Sequence, residues 1–258
     1  MKQVPTYRHE EMTPKVHSYL VCIFVYNEGR KLADQLSRFP APEKRNFDVV
    51  IGDDGSSDGS TSSDLISRFA LRGIMRLERN QGLSANIKAG LDWALKQNYK
   101  GLVMINGNDR DDPEAIFRFI EKLEEGFDYV QGSRFLPGGH HQNTPSYRYW
   151  AIRLIHAPIF SLASLKWMTD TTNGYRAFST SFLKSLGDLI FQERFQKYEI
   201  EQYLAWKAIR MGKKVCEIPV SRRYPENLRG SHFTKISPGI GWYQMLKPLL
   251  CLLFRLYP

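Results

Sequence analysis

Cysteine is scarce in this chain: Cys22, Cys216 and Cys251 are odd in number, far apart and set among apolar neighbours. That excludes a disulfide framework or a cysteine-based zinc site and points to packed, reduced thiols in a reducing compartment. No uninterrupted apolar run is long enough to span a bilayer; the C-terminal one, residues 242–257, is broken by Lys247, Pro248 and Arg255. Residues 1–17 mix charges with proline around no apolar core, so they do not read as a secretory signal, and a cytoplasmic protein is expected. Internal repeats and low-complexity tracts are missing, and 42% hydrophobic with 24% charged residues excludes disordered and fibrous classes. Acidic side chains are outnumbered, 27 against 36 basic, for a net charge of +9. This favours acidic partners: nucleotide diphosphates, lipid phosphates, an anionic membrane surface or nucleic acid. Nucleic acid fits worst, because the positive charge is scattered and no nucleic-acid module is present.

What is there is an alternation of strand and helix. Residues 19–26 are continuously apolar, as in a strand covered on both faces, and Asn27, Glu28 and Gly29 end the run. A helical pattern follows through Leu32, Leu36 and Phe39, then a strand at 47–52, a helix around 65–71 and a strand at 74–77. Next come a helix at 83–95, a strand at 101–105, a helix opened by Pro113 and a strand at 129–132. Repeated βα units of this length predict a mostly parallel, Rossmann-like sheet flanked by helices. Beyond Arg134 a Gly/His/Asn/Pro loop leads to a long apolar helix over 149–167, a mixed segment 170–179, a helix at 199–210 and a strand at 214–220. His140 and His141 in that loop have no Cys or Glu partner at metal-ligand spacing and read as part of a mobile polar loop. One domain over 1–236 with an apolar C-terminal helix over 237–258 is the expected organisation.

Chemistry concentrates where strands end. Ile51-Gly52-Asp53-Asp54-Gly55-Ser56-Ser57-Asp58-Gly59-Ser60 carries a hydrophobic strand into a turn of carboxylates, hydroxyls and glycines. Open parallel sheets bind ligands at the carboxyl ends of their strands. Carboxylates there accept paired hydrogen bonds from a ribose diol or a base edge, and glycines allow close backbone approach. The plain alternative is a turn that only joins strand to helix.

Six stretches carry a resemblance: Phe24-Val25-Tyr26-Asn27-Glu28, Asp53 to Gly59, Asn80-Gln81-Gly82 with Gly90, Gly132-Ser133-Arg134-Phe135, Asn173 to Phe178, and Glu217-Ile218-Pro219-Val220. In this order the chain resembles family 2 glycosyltransferases of the GT-A fold, in particular polyprenyl-phosphate sugar transferases such as dolichyl-phosphate mannose synthase, over residues 18–236. The resemblance implies a nucleotide-sugar donor held by Tyr26, Glu28, Asp53, Asp54, Asn80, Gly82, Asn106 and Asn108. It also implies Mg2+ or Mn2+ on an Asp-x-Asp pair at the end of the fourth strand.

Here that pair reads Asn106-Gly107-Asn108, and neutral amides in place of carboxylates remove most of the attraction for a divalent cation. Three readings stand: Arg110 replaces part of the cation with a fork of donors; Asn108 with Asp109 and Asp111 rebuilds a metal site; or Asp111 or Asp112 caps the helix from Pro113. Sugar transfer with inversion to a hydroxyl needs a base, for which Glu201 is the candidate over Glu199; a phosphate acceptor is already anionic and needs only positive donors. The basic residues Arg134, Arg148, Arg153, Arg176, Arg222, Arg223, Arg229 and Lys235 supply those, with Arg176 expected at the reacting centre and Arg134, Arg223, Arg229 and Lys235 on the acceptor. The C-terminal run, with aromatic flanks, Lys247 and Arg255, either lies on the inner face of a membrane or packs on protein. The expected function is therefore transfer to a polyprenyl-phosphate or lipid-linked acceptor in cell-envelope polysaccharide biosynthesis. The alternatives are transfer to a saccharide hydroxyl with Glu201 as base, and a non-catalytic nucleotide-sugar binder.

Overall fold

The computed structural model describes residues 3–224 and 240–258. Strand β2 (Tyr19–Val25) shows why the sheet forms: Leu20, Cys22 and Phe24 face one buried cluster while Tyr19, Val21, Ile23 and Val25 face the other. A strand covered on both sides must be apolar at every position, which its sequence satisfies. It pairs in parallel with β3 (Phe47–Asp53) on one side and β5 (Gly101–Asn106) on the other.

The remaining strands of the large sheet are β1 (Tyr7–Glu11), β4 (Gly73–Leu77), β6 (Tyr129–Ser133), β8 (Arg176–Ser179) and β9 (Val215–Pro219). With β7 (His140–Gln142) and β10 (Ser221–Arg223) in a separate parallel pair, the eight-stranded order is β1-β4-β3-β2-β5-β8-β6-β9. The sheet is thus mixed. β8 runs antiparallel between β5 and β6, and β1 is an antiparallel edge on β4. Neither strand stood out in the sequence: β1 is polar and mostly exposed, and β8 opens on a buried arginine.

Helices α1 (Arg30–Leu36), α2 (Ser63–Arg68) and α4 (Ala115–Glu124) contribute Leu32, Ile66, Ile116 and Phe119 to one face. Helix α3 (Leu83–Lys96) supplies Ile87, Leu91 and Trp93 to the other. The long apolar helix expected over 149–167 is instead broken. Helix α5 (Ser146–Ala151) passes through a π-helical turn, Ile152–His156, into α6 (Ala157–Ser164), which stops at Leu165 in the left-handed conformation, φ 62°. Helix α7 (Thr180–Leu186) follows, capped by the Ser179 hydroxyl on the Phe182 amide. Then α8 (Glu199–Arg210) and α9 (Ile240–Leu253) close the same face, α9 packing on α6 and α8 with Leu249 and Leu252 buried.

Helix α3 approaches the sheet closely because it meets it through glycine. A Cβ on Gly90 would lie 3.1 Å from the Phe24 ring and 3.2 Å from Cys22 Sγ. Gly90→Leu should destabilise the fold by about 1–3 kcal/mol through overpacking, outweighing the helix-propensity gain of about 0.5–1 kcal/mol, as read by urea denaturation.

Candidate active site

The strand register brings Val25, Asp53 and the Phe24–Asn106 pair to one edge, so β2, β3 and β5 end side by side. A cavity of about 910 Å³ opens there, between those strand ends and helices α5, α8 and α9. A smaller hollow of about 460 Å³ near His17, Lys100 and Glu124 lies by the amino ends of β2 and β5, away from this chemistry.

Two loops build the polar end. The Asn27 amide donates to Ser56 Oγ (3.0 Å), Asn27 Oδ1 accepts from the Ser57 amide (2.9 Å), and the Gly29 amide donates to Asp58 (2.8 Å). These bonds fasten the turn after β2 to the turn after β3 and leave Tyr26 and Glu28 on the cavity wall. Asp54 accepts from the Gln81 amide at 2.7 Å and the Gly82 amide at 2.9 Å, fixing the turn that carries Asn80 and Gly82 into α3. Burial pushes the Asp54 carboxyl above its ordinary value, against the lowering effect of those amides.

Asp53, expected on the nucleoside, is not on the wall. Its side chain is fully buried and accepts from the Ser56 amide, the Thr61 hydroxyl and Arg76 (2.6 Å), so it organises the loop beneath the cavity. Arg176 also departs from its expected role at the reacting centre. It lies 2% exposed and donates to the carbonyls of Asn173 and Glu201. Its Nε lies 3.7 Å from Oε1 of Glu201, which does line the cavity. Glu199 is turned under the wall, accepting from the Gln196 and Lys197 amides. Asn106 shares the Glu201 corner, since a Cβ on Gly174 would lie 2.7 Å from Asn106 Nδ2 and 3.3 Å from Glu201 Oε1.

The basic wall differs from the expected set. Arg223 is exposed and outside the cavity, whereas its neighbour Arg222 is inside: one step along β10 reverses the face. Arg229 and Lys235 lie outside the described residues. Arg134 lines the cavity but is held by Asp170, with Nε at 2.6 Å and Nη2 at 2.8 Å. Arg110, Arg148 and Arg222 surround one ring, their guanidinium carbons 4.9, 5.7 and 5.9 Å from the centroid of Tyr224, whose hydroxyl accepts from Arg148 at 3.0 Å. Burial would raise the Tyr224 phenol, but Arg222, Arg134 and Arg148 overcome it and bring the pKa down to about 8. Lys31, Lys197, Asn86 and His156 also line the cavity and were not singled out in the sequence, where nothing in their neighbourhood marks them.

The donor set does not fit a divalent cation. Asp109, one candidate ligand, binds Arg38 at 2.5 Å; Asp111 gives both oxygens to Arg222 at 2.5–2.6 Å and is fully buried. That leaves the neutral amides of Asn106 and Asn108 at the strand end. Among the described residues, no group of three or more His, Cys, Asp or Glu is placed to hold a metal ion.

With this geometry in view, the comparisons with known proteins are informative. The model of the family described as glycosyl transferase family 2 matches residues 20–187. The chain belongs to that family. It is a glycosyltransferase, and its large mixed sheet with flanking helices is the GT-A-like form of the solved neighbours. A polyprenol monophosphomannose synthase of Mycolicibacterium smegmatis is 29% identical, covering 78% of this chain and 76% of that protein. An undecaprenyl-phosphate mannosyltransferase of Micrococcus luteus is 29% identical over 86% of this chain and 88% of its own. Among solved structures, glucosyl-3-phosphoglycerate synthase from Mycobacterium tuberculosis with Mn2+ and UDP superposes with a TM-score of 0.64. At 14% identity it covers 93% of this chain and 80% of that one. A Pyrobaculum calidifontis mannosyltransferase with GDP-Man and Mn2+ gives 0.60 at 17% identity, over 92% and 64%.

The cavity also contains a buried imidazole. His156 Nδ1 lies 2.6 Å from Thr171 Oγ1 and Nε2 lies 3.3 Å from Gln202 Nε2, and burial brings its pKa down to about 4, with Asp170 opposing. The folded state keeps this histidine neutral while the unfolded chain protonates near pH 6.5. Its contribution to stability is therefore complete above pH 6.5 and is lost as pH falls towards 4. Relative to His156→Gln, the native chain should lose on the order of 3 kcal/mol across that window, measured by denaturation at stepped pH.

Proposed function

We propose that this glycosyltransferase moves a sugar, with inversion, from a nucleoside diphosphate onto a polyprenyl phosphate in cell-envelope polysaccharide assembly. The observation that carries the reading is the polarity of a single cavity. Its wall offers Tyr26, Glu28, Asn80 and Gly82, from the turns at the strand ends, to a nucleoside; it also carries a cationic group at Arg110, Arg148 and Arg222 and an apolar group at Ile152, Ile155, Met245 and Leu246. A nucleotide sugar and an isoprenoid phosphate together present these three chemistries. The names of the mycobacterial and micrococcal relatives support the same acceptor class.

In the reaction, a phosphate oxygen of the acceptor attacks the anomeric carbon from the face opposite the diphosphate. The new C–O bond forms as the bond to the diphosphate breaks, and the leaving group departs as the nucleoside diphosphate. The nucleophile is already anionic, so no proton must be removed. Glu201, beside Asn106 and braced by Arg176, is then a sugar-hydroxyl acceptor rather than a base. The second reading, a saccharide hydroxyl acceptor, would use Glu201 as general base.

Membrane contact belongs to the same proposal. Apart from Met12, Val16 and Met211, the large apolar side chains exposed among the described residues all fall within 147–167 or 243–256. No helix among the described residues is long and apolar enough to cross a membrane. We place the apolar surface of α5, α6 and α9 on the inner face of the membrane, with α9 as the lipid-facing part of a C-terminal segment, 237–258, that follows a transferase domain over 1–236. Clustered apolar exposure of this kind marks an interaction surface.

Three measurements test this. Incubating the protein with UDP-, GDP-, CDP- or TDP-sugars and vesicles containing undecaprenyl phosphate should yield a lipid-linked sugar with one of these donors; no product with any of them would refute the reading. Glu201→Gln should slow lipid-phosphate transfer by less than about tenfold, whereas a loss of about 100-fold or more would assign Glu201 as base and favour the hydroxyl acceptor. Leu246→Glu with Leu250→Glu should abolish co-sedimentation with anionic vesicles while leaving donor binding intact.

A further inference from the structure

We propose that the leaving diphosphate is held by an arginine cradle, Arg110, Arg148 and Arg222 gathered around Tyr224, in place of a divalent cation. This rests on the donor reading above but is separable from it. The first support is the donor set already described: the carboxylates nearest the end of β5 are engaged by Arg38 and Arg222, and the residues facing the cavity there, Asn106 and Asn108, are neutral. Asp112, the next carboxylate, accepts from the Glu114 amide at 3.2 Å at the start of α4.

The second support is how the cradle is assembled. Its three arginines come from elements far apart in sequence: the loop after β5, helix α5 and strand β10. Arg222 is locked by both oxygens of Asp111. The Arg223 amide donates to the Arg110 carbonyl at 2.9 Å, tying the β5 loop to β10. All three guanidiniums lie within about 6 Å of the centre of the Tyr224 ring, at 4.9, 5.7 and 5.9 Å, close enough for the ring face to attract them. Positive charges concentrated on one cavity wall repel a divalent cation and attract a polyanion, and a guanidinium's planar fork matches adjacent phosphate oxygens in a way a point charge does not. A diphosphate beside this wall gains the charge compensation that a metal supplies elsewhere, while the carboxylates nearest the end of β5 are already paired with arginine.

The third support is Asn108. Asn108 lines the cavity, and its buried Oδ1 has no hydrogen-bond partner among the described residues. An orphaned acceptor calls for a donor group, and a hydroxyl of the sugar attached to the diphosphate supplies one. The Asp-to-Asn exchange at this position thus exchanges a cation ligand for a sugar contact.

The test uses the full chain and inorganic pyrophosphate in titration calorimetry, with UDP and GDP as further probes. Pyrophosphate should bind in EDTA with an affinity within about twofold of that in Mn2+, and Arg110→Gln and Arg148→Gln should each weaken it by about tenfold or more in EDTA. Arg110→Lys should recover part of the loss by restoring charge without the fork, and Asp109→Asn should change nothing. Circular dichroism melts on each variant separate loss of binding from loss of fold. Pyrophosphate binding that requires Mn2+, or that survives Arg110→Gln and Arg148→Gln unchanged, overturns the cradle. Sugar transfer that is abolished by EDTA and restored by Mn2+ overturns the cradle and leaves the transferase reading standing. Arginine-dependent pyrophosphate binding in EDTA without transfer from any nucleotide sugar does the reverse.

Discussion

The ion pair between Asp111 and Arg222 is the constraint on which the site's geometry depends. Both oxygens of a fully buried carboxylate meet one guanidinium, joining the loop after β5 to β10 across 111 residues of chain. Burial alone would lower the Arg222 pKa, yet Asp111 more than reverses this and holds it raised. Such a pair contributes little net stability, because desolvation offsets most of the attraction, but removing one partner strands a buried charge at a cost of about 3–5 kcal/mol. Its value is positional. With Asp111 fixed, Arg110 faces the cavity, Tyr224 is brought in behind it, and Arg148 reaches the phenol from α5.

That clamp acts on a scaffold that is itself set by burial. Because β2 is apolar on both faces, helices must cover both, and the parallel strands on either side deliver their carboxyl ends to one rim. The rim turns carry the polar chemistry, and Asp54 and Asp58 spend their carboxylates on backbone amides to hold those turns in place. Family membership follows from the matched sequence. The departure from the Asp-x-Asp pair that the resemblance implies falls at Asn106 and Asn108, beside Asp109 and Asp111, which are paired with Arg38 and Arg222.

The sequence disclosed the scaffold more readily than the site. Continuous hydrophobicity at 19–26 and the repeated βα spacing are signatures of a buried parallel strand, and nothing competes with them. Strands β1 and β8 were hidden because an exposed edge strand needs no apolar pattern, and because Arg176 pairs inside the protein in a way that hydropathy cannot register. At the site, adjacent residues of the same type defeated the reading. Asp53 and Asp54 have the same chemistry, but strand alternation buries the first under the loop and leaves the second at the rim. Arg222 and Arg223 are likewise equivalent in sequence and opposite in space. The break of the 149–167 helix at a π turn, which sets Ile152, Ile155 and His156 on the wall, left no signal in its apolar composition.

The central claim is that one cavity seats a nucleoside at the strand ends and its diphosphate against arginine. A crystal structure of the protein grown with a nucleoside diphosphate in chelator tests it most directly. The account predicts the base and ribose beside Glu28 and Asn80, with phosphate oxygens in hydrogen-bond reach of Arg110 and Arg148. A nucleotide seated elsewhere, or phosphates turned away from both arginines, would contradict it.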